Sequence, residues 1–137
     1  FWVVAYSGIS LPTAKMRALL PQQYSRADLI TYGRLLSGFT HASHTKDAEL
    51  AASLLHDVVA EPYRSPHIPG YDKAKKTLQE LGVIATGISG SGPTLFAVSN
   101  KRETADLAAK WLTNNYLSDP GGFVKICKIS ETGTHSL

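Results

Sequence analysis

A chain of 137 residues, 43% of them hydrophobic, is one domain's worth and long enough to bury most of the surface its unfolded form exposes. The net charge of +3 comes from 14 basic residues spread along the chain instead of gathered in runs, which argues against nucleic-acid or membrane-surface binding. The single cysteine, Cys127, excludes an intrachain disulfide, and there is neither a membrane-length apolar run nor a signal peptide, so a reducing cytoplasm is expected, with Cys127 a buried, inert thiol.

Phe1–Tyr6 (FWVVAY) is short, apolar and β-rich, and predicts a buried central strand ended by Ser7-Gly8. A core strand at the very first residue, with no methionine and no polar lead-in, is expected of the C-terminal part of something longer. Leu11 to Leu20 predicts a short helix with Pro12 in its first turn, Met16, Leu19 and Leu20 on one side, and Pro21 as the stop. Thr13 and Arg17 then share a face, one turn apart. Ser25 followed by Asp28 is a capping signal, and Leu29, Tyr32, Leu35, Leu36 and Phe39 recur at helical spacing. A helix from Ala27 to about Ser43 follows, with that stripe expected in the core.

A second helix from about Asp47 is expected to bury Leu50, Leu54, Leu55 and Val58, and to end at Glu61 because proline disfavours the helical region for the residue before it. The run PYRSPHIPG, with three prolines before Gly70, reads as an irregular loop of the kind that carries functional groups. Tyr71 to Leu81 predicts a helix with Tyr71, Ala74, Leu78 and Leu81 inward and Gly82 at its C-terminal cap. Val83–Ile88 is a strand, Thr94–Val98 another, and Asn100 with Glu103 opens a helix to about Asn115 with Leu107, Ala108, Trp111 and Leu112 on one face. After the Asp119-Pro-Gly-Gly122 turn, Phe123–Ile129 is the last strand, and the tail to Leu137 is expected to be loosely held.

The order is β-α-β-β-α-β, with extra helices in the first crossover. It predicts an α+β, ferredoxin-like split β-α-β sandwich: a four-stranded antiparallel sheet covered by helices on one face.

Between the second and third strands lies GISGSGPTLFA, Gly87 to Ala97. Gly87, Gly90 and Gly92 permit positive φ, so successive N–H groups can converge on one anion, and Ser89 and Ser91 add hydroxyl donors. An ordinary hairpin turn is the commoner use of such a cluster. Here the loop is longer than a two-residue hairpin needs, and G-x-x-G-x-G leaves one edge bare of side chains. It is not a P-loop, since no Gly-Lys-Ser/Thr follows, nor a dinucleotide fingerprint, since a strand follows where a helix would open.

Among the polar residues, Arg17 and Arg64 stand out, because a guanidinium can grip a carboxylate or phosphate with two parallel hydrogen bonds and both follow proline-marked segments. A solvated surface charge is the commoner fate of a single arginine, and Arg26, Arg34 and Arg102 are assigned it. His41 and His44 are three apart, but no third ligand has matching spacing, and no metal site is expected. There is no Ser-His-Asp order, and Asp47, Glu49, Asp57 and Glu61 fall where carboxylates face water. An anion loop and arginines are present without a complete catalytic constellation.

GISGSGPTLFA closely resembles the third motif of the GHMP kinases, which act on galactose, homoserine, mevalonate and phosphomevalonate. FWVVAYSGI, PTAKMRALLP, EPYRSPHIPGY and the glycine loop, in this order and spacing, resemble the C-terminal half of homoserine kinases across essentially all 137 residues. The resemblance implies a ferredoxin-like C-terminal domain over residues 1–137, without its N-terminal ATP-binding domain. It places Thr13, Arg17 and Arg64 at the amino-acid substrate, the two arginines on the α-carboxylate of L-homoserine. Ser89, Gly90, Ser91 and Gly92 would close over the substrate and the terminal phosphates of ATP, Gly90 also beside the substrate. The ATP loop and the Mg²⁺ ligands would belong to the absent domain, so no catalytic residue is assigned in this fragment, which is expected to be inactive alone. Homodimerisation is left open by the resemblance. A regulatory amino-acid-binding module, or a related kinase acting on mevalonate or a sugar, are the competing readings.

Overall fold

The structure, a computed structural model, describes residues 1–133. The tail beyond Gly133, including His135, lies outside the described residues. Four strands, β1 (Trp2–Tyr6), β2 (Ala85–Ile88), β3 (Leu95–Val98) and β4 (Phe123–Cys127), form one sheet in the order β2-β3-β1-β4. Every neighbouring pair is antiparallel, with Val3 opposite Ala97 on one side and Ile126 on the other. β1 is thus central, and the chain has the α+β, ferredoxin-like arrangement its element order predicted.

The alternation of the strands sorts the sheet into two faces. Val3, Ala5, Leu95 and Ala97 point to one side, where they pack with α5 (Tyr71–Glu80) and α6 (Arg102–Asn115) through Tyr71, Ala74, Leu78, Ala105, Ala108 and Leu112. Met16, from α1 (Thr13–Ala18), and Ile68 close the same core. The other face carries Trp2, Ala85, Phe96 and Val98, and the helical insertion reaches it: Ala52 of α3 (Ala48–Ser53), with Leu55, packs there. Helices therefore cover one face fully and part of the second.

α2 (Arg26–His44) forms where predicted, and Ser25 caps it by accepting a hydrogen bond from the Asp28 N–H at 3.1 Å. Its apolar stripe is not in the core, however. Leu29 is 66% exposed and Leu36 50%, and Ala42 is the buried residue of the helix. α2 packs on α3 and the turn after it through its small residues: a Cβ at Gly38 would lie 3.0 Å from Leu54 Cδ1. Helical spacing defines a face; it does not say what covers it. The next helix is also shorter than expected, with Leu50 exposed and Leu54, Leu55 and Val58 half-buried beyond or beside it.

PYRSPHIPG is not irregular. Glu61–Arg64 is a short helix, α4, followed by a 3-10 turn at Ser65–His67. Pro62 does not expel Glu61 from the helix: its missing N–H is one that a first turn leaves free, and the steric bias of its ring on Glu61 is offset by the Asp57 carboxylate, which takes up the N–H groups of Val59, Ala60 and Glu61 at 2.7, 2.8 and 3.1 Å. Four further expectations are corrected. Leu107 is 53% exposed while Ala108 and Leu112 fill the core; α6 has Lys101 at its N-cap with no side-chain cap; and Cys127 is exposed, on the open face of edge strand β4, which ends there instead of at Ile129. No helix among the described residues is long and apolar enough to cross a membrane.

Candidate functional site

The sheet delivers β2 and β3 as a hairpin whose tip is the glycine loop. Ser89 N–H donates to Thr94 O at 2.8 Å and closes its base, and Gly92 N–H donates to Ser89 O at 3.3 Å across it. Gly90 (φ +65°) and Gly92 (φ +80°) both take the left-handed region that other residues avoid, and Gly92–Pro93 is a cis peptide. Beneath the loop, Tyr116 of the α6 C-cap donates its hydroxyl to Pro93 O, and Ile68 fills the space beside Gly92, where a Cβ would lie 2.6 Å from Ile68 Cδ1. Burial pushes the Tyr116 phenol up to about 12. Gly87 has a packing role instead: its missing side chain makes room for the Phe96 ring.

Two side chains tie this loop to the rest of the molecule. Arg64, half-buried on α4, donates through Nη1 to Gly90 O at 3.0 Å and through Nε to Met16 O of α1 at 3.3 Å. Thr13, at the start of α1, hydrogen-bonds the Ser91 hydroxyl at 3.3 Å. Thr13, Arg64, Gly90 and Ser91 thus converge although they are far apart in sequence. Arg17 lies one turn after Thr13 on the same helix, exposed, and its guanidinium has no hydrogen bond or ion pair among the described residues. Arg64 keeps Nη2 and part of Nη1 for a further acceptor, and the N–H groups of Gly90 and Ser91 have no partner among the described residues. Unused donors from a guanidinium and from the backbone of a glycine turn form a set suited to an anion.

Sequence reasoning missed what stands behind Arg64. Glu61, read as a water-facing carboxylate, is 7% exposed and accepts a hydrogen bond from Lys75 of α5. The Tyr71 hydroxyl, one turn before Lys75, faces the Glu61 carboxylate but is buried without a well-formed hydrogen bond. Burial, followed by the Glu61 charge, raises the Tyr71 phenol far above its ordinary value. Glu61 sits three residues before Arg64, at the spacing where helical side chains are neighbours, and that was the only available signal. The His44 ring is bonded to Thr40 O at 3.0 Å, and no group of three or more metal-ligating side chains occurs among the described residues. A groove of about 810 Å³ between α2, α3 and the second sheet face is lined by Trp2, Phe39, Ala52, Ile84 and Val98, and none of the predicted site residues reaches it.

The family described as GHMP kinases, C terminal, matches residues 39–117, a span holding Arg64 and the glycine loop but not Thr13 and Arg17. Two solved structures share the fold. A homoserine kinase from Cytophaga hutchinsonii is 24% identical with a TM-score of 0.78, over 90% of this chain and 44% of that one. A 4-(cytidine 5'-diphospho)-2C-methyl-D-erythritol kinase is 17% identical with a TM-score of 0.54, over 90% of this chain and 41% of that one. The chain spans less than half the length of either. With more than half of its residues matched, and with the sheet and glycine hairpin as described, the chain belongs to the GHMP kinase C-terminal domain family.

Proposed function

We propose that residues 1–137 are the C-terminal, acceptor-binding domain of a cytoplasmic homoserine kinase, which transfers the γ-phosphoryl group of ATP to the side-chain hydroxyl of L-homoserine. The observation that carries this reading is the convergence of Arg64 and Thr13 on the glycine loop, with Arg17 one turn away. Family membership supports kinase chemistry and hence ATP. The similarity of fold to the Cytophaga hutchinsonii homoserine kinase supports the choice of acceptor.

In this reading the Arg64 and Arg17 guanidiniums hold the α-carboxylate, since two cations neutralise it and fix its plane. The open N–H groups of Gly90 and Ser91, with the Ser89 and Ser91 hydroxyls, donate to phosphate oxygens, and Thr13 orients the substrate from the start of α1. The homoserine hydroxyl oxygen attacks the γ-phosphorus; the new O–P bond forms as the bond to the β-phosphate oxygen breaks, ADP departs with the electron pair, and the hydroxyl proton passes to phosphate or solvent. Positioning and charge neutralisation account for most of such a transfer, so the donors described here suffice for this chain's share. The nucleotide-binding groups and the Mg²⁺ ligands are assigned to an N-terminal domain outside this chain.

The test is ADP release by the complete protein with Mg-ATP, offered L-homoserine, mevalonate and galactose in parallel, with residues 1–137 alone as control. Turnover with homoserine alone, and none from the isolated chain, is expected; turnover of a different acceptor, or of none, overturns the assignment. Arg17→Ala is the cleaner probe, because Arg17 holds nothing else. Losing a charge-assisted hydrogen bond there is expected to raise the homoserine KM by about ten- to a hundredfold at unchanged stability. Arg64→Ala is expected to raise the same KM and also to loosen the loop.

A further inference from the structure

α4 has four residues, and an isolated turn of helix that short does not hold itself together in water. Arg64 nevertheless has to bridge two carbonyls on different elements, Met16 O and Gly90 O. The restraint comes from outside the helix. The Asp57 carboxylate gathers three backbone N–H groups at its start, Ile68 anchors its far end in the core at 3% exposure, and Glu61 ties its flank to Lys75 on α5. α5 is in turn rooted by Tyr71, Ala74 and Leu78, each no more than 1% exposed. Tyr71 and Lys75 are four residues apart and occupy one face of α5; Glu61 accepts from Lys75, and its charge acts on the buried Tyr71 phenol.

A partly buried ion pair, with the Lys75 side chain 33% exposed and that of Glu61 9%, is a poor source of stability, because desolvating the carboxylate offsets much of the attraction, and an apolar pair of similar shape would pack as well. What it supplies is direction: a carboxylate that must find its ammonium allows one placement of the helix where apolar contacts allow several. We propose that Glu61 and Lys75, backed by Tyr71, are positioning residues for Arg64, fixing α4 on α5 so that the guanidinium lies between α1 and the glycine loop. Glu61 acts through Arg64 and touches no ligand itself. The kinetic part of this inference rests on the reading of Arg64 as a carboxylate-binding group; the structural part stands without it.

The experiment uses the complete protein with Glu61→Gln and, separately, Lys75→Met. Without ligands, amide hydrogen exchange at Ser89 and Gly92 is expected to speed up about tenfold in both variants, the equivalent of about 1.4 kcal/mol of local opening, while core amides of β1 and β3 keep their protection. With Mg-ATP and L-homoserine, the homoserine KM is expected to rise about tenfold with kcat and the ATP KM within about twofold, a split that general loss of structure would not produce. Should either single variant fold poorly, Glu61→Leu combined with Lys75→Met keeps the site packed without charge and is expected to fold, with Ser89 and Gly92 still exchanging faster. Loop exchange equal to wild type in the folded variants, or a uniform fall in protection across the core, would overturn the positioning role. If the wild-type protein phosphorylates no homoserine while the exchange result holds, the substrate assignment fails and the positioning role remains.

Discussion

Gly90 and Gly92 share a positive φ but differ in their surroundings, and the difference separates backbone strain from lack of space. At Gly90 an added Cβ meets nothing within 4 Å. Alanine there is expected to cost about 1–2 kcal/mol, the penalty of a left-handed residue with a side chain. At Gly92 the same Cβ would stand 2.6 Å from Ile68 Cδ1 and 3.3 Å from Ile68 Cγ1. Ile68 is 3% exposed, so its tip has little room to turn away, and forcing it off its rotamer adds about 1–3 kcal/mol. Gly92→Ala is therefore expected to cost about 2–5 kcal/mol. Ile68→Val removes the offending carbon at about 0.5–1.5 kcal/mol by itself. Combined with Gly92→Ala it is expected to recover most of the clash, so the double variant should be more stable than the sum of the singles by about 1–2 kcal/mol. Urea unfolding of the four proteins, the wild type included, measures this coupling. Additivity to within about 0.5 kcal/mol, or a Gly92→Ala no worse than Gly90→Ala, would refute the steric argument.

Tyr116→Phe leaves the buried Pro93 carbonyl without its donor and is expected to cost about 1–3 kcal/mol at pH 7. The same phenol sets an alkaline dependence: its folded value is pushed up from 10.0 to about 12 by burial, so its contribution is fully present below pH 10 and is lost as pH rises through 12. Between those values the unfolded state binds fewer protons, and stability should fall by up to about 1.4 kcal/mol per pH unit from this group. Chemical denaturation across that range should show a shallower fall for Tyr116→Phe, with the raised Tyr71 phenol retaining its own share; an unchanged slope would sink the idea. On α2, Leu29→Lys at a 66% exposed position is expected to change stability by less than about 0.5 kcal/mol, whereas Leu78→Ala at 0% exposure should cost about 2–5 kcal/mol. A loss above about 2 kcal/mol for Leu29→Lys would mean that the apolar face of α2 is covered in the protein tested.

The fold was legible because each element declares itself within a few residues. The apolar runs at Trp2–Tyr6 and Leu95–Val98 are short enough to be strands, Ser25 and Asp28 mark the start of α2, and Gly82 takes the left-handed φ of +87° expected after a helix. What failed was the inference from periodicity to burial. Leu29, Tyr32, Leu36 and Phe39 make the same pattern whether or not something packs on them, and their exposure is decided by where the α2–α3 pair stands against the sheet. Cys127 went wrong similarly: a strand residue on β4 faces either the core or the open side, and one position of register separates Ile126 in the core from Cys127 outside it.

The candidate site divides along the same line. The glycine spacing and the two arginines could be nominated because their chemistry is carried by residue type, Thr13 is nominated only by the family resemblance, and the fold places Thr13 and Arg64 on the loop. Glu61 could not be separated from Asp47 or Glu49, since all three are carboxylates near helix ends. The buried one is distinguished by Lys75, which lies fourteen residues away on another element, and by a tyrosine whose hydroxyl faces it. Pro62 hid the point further, because its ring disfavours a helical Glu61 and that bias is offset only by the three N–H groups that the Asp57 carboxylate gathers in the fold. Residues that present a charge to a ligand can be nominated from the sequence, whereas residues that fix the direction of that charge act through pairings that exist only once α4 lies against α5.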